Sequence, residues 1–115
     1  MNQPETTTRI TVLTVPGCPN APLVRVRIAT ALAGRTVPVD RVEVPDEEEA
    51  VRRGMNGSPA VLVNGTDPFA EPGVRPSLSC RLYRHADGTT DGAPTVADLR
   101  RALAASGPAG TPGEG

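Results

Sequence analysis

The chain of 115 residues has twelve arginines, no lysine and thirteen acidic residues, for a formal net charge of −1. That balance leaves no basic stripe for nucleic acid, and no run approaches the roughly 20 apolar residues of a membrane span. With no Trp, one Phe and one Tyr, the core of a single domain has to be built from Val, Leu, Ile and Ala.

The opening MNQPETTTR has neither the basic start nor the apolar centre of a secretory signal, so a cytoplasmic location is expected. There, two cysteines serve more readily as thiols, a transient redox pair or soft-metal ligands than as a permanent cross-link. Residues 1–8 are polar and residues 107–115 are rich in Gly and Pro. Both ends are expected to be disordered, which leaves a domain over 9–106.

RITVLTV (9–15) is apolar and β-branched and stops at Pro16-Gly17, which predicts a short buried strand. Cys18 follows at once. Leu23, Val24, Ile28, Ala31 and Leu32 then recur at helical spacing, with Pro19 and Pro22 in a first turn that has no N–H bonds to lose and Gly34 as the stop. TVPVDRVEV (36–44) predicts a second strand. Asp46 and Glu49, three apart, predict an N-cap and its reciprocal partner for a helix closed by Gly54. The acidic run 46–49 is thus read as a first turn favoured by the helix dipole, not as a metal site.

PAVLVNGT (59–66) predicts a third strand ending in an Asn64-Gly65 turn. A proline-rich insertion separates it from LSCRLYR (78–84), a fourth strand with Leu78, Cys80 and Leu82 on one face. Thr95 and Asp98 predict the cap of a last helix, with Val96, Leu99 and Leu103 as its apolar stripe. The order βαβαββα predicts an α/β domain with a mixed four-stranded sheet flanked by helices: a parallel first pair and an antiparallel later pair.

Cys18 stands where the first strand hands over to the first helix. The unpaired N–H groups and positive dipole end of a helix favour thiolate over thiol, and ligands bind at strand carboxyl ends in open α/β sheets. No phosphate loop, dinucleotide fingerprint or serine-nucleophile elbow occurs, and no cofactor is expected. His85, in RHADG, is read as a surface residue, and Tyr83 as packing with its hydroxyl at the surface.

The element order, Cys18 and GSPAVLVNG (57–65) together resemble the thioredoxin-like superfamily over about 9–105, in particular its small glutaredoxin-like members. The resemblance implies a cis bond at Ser58-Pro59, facing the reactive cysteine. It makes Gly17, Pro19, Ser58 and Pro59 the substrate groove, with the Ser58 backbone holding an extended thiol-bearing substrate. The family's second cysteine, three positions on, is replaced by Ala21, and its aromatic residue ahead of the first by Gly17. Cys18 is therefore either a lone nucleophile or partnered by Cys80. Cys80 itself is open to two readings, core residue or partner.

A second, looser resemblance is to organomercurial (alkylmercury) lyases, through GCPNAPLVRVRIATALAGRT (17–36), SLSCRLYR (77–84) and GAPTVADLRRAL (92–103). It implies Cys18 and Cys80 as thiolates for mercury or another soft metal. The acidic residue of those enzymes falls at Ala21, with Asp67 or Glu71 as substitutes. The expectations are thiol-disulfide exchange or thiophilic ligand binding, then carbon–mercury cleavage, and third a redox-inert binding module that keeps only the fold. The partner is a thiol, a disulfide or a soft-metal compound, with neither nucleic acid nor membrane; the oligomeric state is left open.

Overall fold

The computed structural model describes residues 8–70, 73 and 75–106. The expectations for 1–7 and 107–115, and for Glu71, lie outside the described residues. Among the described residues no helix is long and apolar enough to cross a membrane.

The fold is α/β, in three layers. Strand β1 (Ile10–Thr14) is the centre of a three-stranded sheet, parallel to β2 (Val39–Glu43) on one side and antiparallel to β4 (Ala60–Val63) on the other. Helix α1 (Ala21–Leu32) makes the crossover between the parallel strands. Side chains alternate along β1 and β4, so both sheet faces are apolar. Ile10, Val12, Val61 and Val63 meet α1 and α3 (Val96–Ser106) through Val24, Ile28, Leu99 and Leu103. Leu13, Ala60 and Leu62 face the other way, against Val44, Met55 and Ala50 of α2 (Glu47–Arg53).

The helix ends follow the predicted chemistry with small shifts. Asp46 caps α2 by accepting from the Glu49 N–H at 3.0 Å, and Gly54 ends it in the left-handed region. Glu49 does not reciprocate; its carboxylate pairs with Arg52 and Arg53 one turn on, and these hold it below the ordinary carboxylate range. In α1, Pro22 lies in the first turn while Pro19 precedes the cap residue Asn20, and Ala33 takes the left-handed position ahead of Gly34. Thr95 Oγ1 accepts from the Asp98 N–H at 3.0 Å at the start of α3.

The expected four-stranded sheet is not what forms. The stretch 78–84 does not pair with 59–66; it divides. Strand β5 (Ser77–Cys80) runs parallel to β3 (Asn56–Ser58), an unpredicted strand, and β6 (Tyr83–Arg84) makes a short ladder with β7 (Thr90–Asp91). Two local features accompany this. The Asn64-Gly65 turn folds back as a hairpin, with the Val63 N–H donating to Thr66 O at 2.8 Å, but the antiparallel pairing stops at that single bridge and the chain leaves the β4 edge after it. Gly57, at φ +105°, lacks the Cβ that would come within 2.9 Å of Arg81 Cβ, so β5 and the residue after it lie close along β3.

Candidate functional site

Cys18 lies in a turn closed by its own N–H donating to Val15 O at 3.1 Å, with its carbonyl accepting from Ala21 N–H at 3.3 Å at the head of α1. Its residue is 9% exposed. It lines a cleft of about 390 Å3 between α1 and the carboxyl end of β2, together with Gly17, Pro22, Arg25, Arg41 and Glu43. Gly17, left-handed at φ +75°, and Pro19 are both exposed beside it.

The Ser58-Pro59 peptide bond is cis. The Ser58 hydroxyl accepts from the Val15 N–H at 3.1 Å, so this loop is fastened to the Cys18 turn. Neither residue offers a surface to a substrate, because both are fully buried. The Ser58 carbonyl, which the resemblance reserves for an extended substrate, already accepts from the Arg81 N–H at 3.0 Å. The chain's own β5 lies along that edge.

Cys80 is exposed, neither packed in the core nor bonded to Cys18; both cysteines are free. Its backbone is registered against Ser58, yet its side chain belongs to a different cleft, of about 460 Å3, shared with Phe69, Leu82, Tyr83 and Asp98. Leu82 is 72% exposed, so the expected apolar face of Leu78, Cys80 and Leu82 does not exist. Among the described residues no three His, Cys, Asp or Glu side chains gather into a metal site. Asp67, offered by the mercury reading as a proton source, is instead buried in an ion pair with Arg81 at 2.5 Å.

Sequence reasoning missed four contributors. Arg25, Arg41 and Glu43 enter the Cys18 cleft, and among the described residues none of the three has an ion pair. The signal was present: Ala21, Pro22 and Arg25 share one face of α1, and Arg41 and Glu43 share one face of a strand running parallel to β1. The fourth is Tyr83, whose hydroxyl is not at the surface but donates to Pro59 O at 2.5 Å. Burial drives its ionisation well above the ordinary phenol range, and the charge of nearby Cys18 adds to that push. His85 is likewise buried, its Nε2 bonded to Asp91 Oδ1 at 2.9 Å.

No protein-family model, curated protein or solved structure matches the chain.

Proposed function

We propose that this chain is a thioredoxin-like domain whose Cys18 acts as a single thiol, exchanging with a small disulfide. The observation that carries the reading is the 3.1 Å bond from the Val15 N–H to the Ser58 hydroxyl. It fastens the turn holding Cys18 to the loop that enters β4, at the carboxyl end of the central strand, where α/β sheets bind ligands. The arrangement of β2, β1 and β4 with the α1 crossover supports the same fold.

The size of the substrate follows from what is blocked. With β5 on the Ser58 edge, an extended peptide has no backbone to pair with there. The Cys18 cleft between α1 and β2 is within the roughly 300–1,000 Å3 of small-molecule sites. In the forward step the Cys18 thiol gives its proton to water, and the sulfur attacks one sulfur of R–S–S–R. A Cys18–S–S–R bond forms, the R–S–S–R bond breaks and RS− leaves. A second small thiolate then attacks the mixed disulfide, restoring Cys18 and releasing a new disulfide.

The mercury reading keeps one supporting element, the Glu43 carboxylate in the Cys18 cleft. Its two sulfurs, however, line different clefts, which favours exchange through one. The test uses the Cys80→Ser chain incubated with a neutral aromatic disulfide and read by intact mass. One adduct per native chain, released by a small thiol and absent from a Cys18→Ser/Cys80→Ser chain, is the expected result. An adduct that forms only in urea means that Cys18 is an inert core thiol, and the binding-module alternative stands instead.

A further inference from the structure

We propose that Tyr83 is a positioning residue for Cys18, and that Asp67, Phe69 and Arg81 govern the thiol through it; this rests on the exchange reading above.

The argument begins with a carbonyl. Pro59 opens β4 and is fully buried, and the strand expected to pair with that edge has gone to β3 instead. A buried carbonyl with no donor is costly. The Tyr83 phenol supplies the donor, 2.5 Å from Pro59 O, and the backbone N–H of Val61 acts on the same phenol oxygen. One side chain thus satisfies the Pro59 end of an edge whose Val63 end is closed by Thr66.

The ring is fixed by Phe69 and by Arg81, with Asp67 holding Arg81 in place. Phe69 meets it edge-on, with centroids 5.7 Å apart and planes at 81°. The Arg81 guanidinium lies over its face at 4.5 Å. Arg81 is itself held by Asp67 and by the Phe69 carbonyl, the latter at 2.8 Å. The Arg81 and Asp67 side chains are only 10% and 5% exposed, so this is a buried clamp and not a surface pair. At its far end the phenol holds the Ser58-Pro59 loop, which holds Val15, whose carbonyl holds the Cys18 N–H. The chain of contacts is continuous from Asp67 to the sulfur-bearing turn.

Loss of the hydroxyl leaves the Pro59 carbonyl without its donor, and loosens the loop that Ser58 fastens to the Cys18 turn. Attack on a disulfide needs the sulfur aligned with the breaking bond, so misplacement slows the step itself more than it weakens substrate association.

In the Cys80→Ser background, single-turnover exchange with the neutral aromatic disulfide is measured at increasing disulfide concentration, well below the unfolding temperature. Tyr83→Phe is expected to lower the limiting rate about tenfold while the half-saturating concentration stays within about twofold. A purely structural role would reduce the reacting fraction, the amplitude, and leave the rate constant of the folded fraction alone. Arg81→Met, which keeps the phenol but releases the ring, is expected to lower the limiting rate by a smaller factor and decides the matter if Tyr83→Phe does not fold. Limiting rates within twofold of the parent in the folded variants overturn the inference. A parent chain that does not exchange at all overturns the exchange reading, and the inference with it.

Discussion

Asp91→Asn examines the joint between α1 and the loop that leads into α3. The Asp91 carboxylate accepts from Arg27 Nη1 at 3.2 Å and Nη2 at 2.9 Å, from His85 Nε2 at 2.9 Å and from the Ala93 N–H at 3.1 Å. Arg27 also donates to Ala93 O at 3.0 Å and Pro94 O at 3.3 Å, so one guanidinium ties α1 to the turn before α3. The hydrogen bonds from Arg27 hold the Asp91 carboxyl well below the usual carboxylate range, against the opposing effect of burial. An asparagine keeps the shape but turns an NH2 group toward donors that want an acceptor. Bonds to charged groups contribute about 1.5–3 kcal/mol each. The Asp91 side chain is 39% exposed, and solvent screening reduces the sum to about 2 kcal/mol.

Urea unfolding of wild type and D91N at pH 7 measures that difference. The pH dependence supplies a second check with a fixed sign. The carboxyl is depressed in the folded state, so its contribution is fully present above the unfolded value near 3.9 and is lost as pH falls toward the folded one. The wild-type advantage should shrink below about pH 4. A difference under about 0.5 kcal/mol at neutral pH, or one unchanged at about pH 2, refutes the reasoning.

Gly57→Ala places a methyl group 2.9 Å from Arg81 Cβ and 3.3 Å from Ser79 O, on a backbone at φ +105°; a loss of about 1–3 kcal/mol is expected in urea unfolding, with Ser58 and Arg81 amides exchanging hydrogen faster. Arg41→Glu reverses the charge of one of the arginines that line the Cys18 cleft, neither of which has an ion pair among the described residues. It should slow exchange with a dicarboxylate disulfide several-fold and leave a neutral disulfide within about twofold, as stopped-flow thiolate release would show.

Much of the fold was legible because its local signals agreed with one another. The apolar run 9–15, the helical spacing from Leu23 to Leu32 and the Asp46 and Thr95 caps are each set by residues within one element, and each appears in place. Strand pairing is a different kind of fact. LSCRLYR alternates like one strand, but which edge it joins depends on a close approach to β3 that the empty Cβ position of Gly57 permits, which periodicity does not report. The same holds for the site. The position of Cys18 between β1 and α1 is legible because a cysteine between strand and helix is a local pattern. The surface position expected for the Tyr83 hydroxyl and for His85 does not hold, because their partners Pro59 and Asp91 become neighbours only once the ladders have formed.

The diverted strand is what links these outcomes. Had 78–84 paired with β4, Pro59 and its neighbours would have found backbone partners and the Ser58 edge would have remained open. By pairing with β3 it closes the Ser58 edge through Arg81 N–H and strips β4 of its outer neighbour, so the buried Pro59 carbonyl needs a side-chain donor. Tyr83 meets that need, but a phenol is a single pivot where a strand is a row of bonds, and its hold depends on Phe69, Arg81 and Asp67. If Cys18 exchanges as proposed, substrate access through the α1–β2 cleft and dependence of Cys18 on the Tyr83 clamp both follow from this one pairing. A variant that restored 78–84 to the β4 edge would be expected to alter both together.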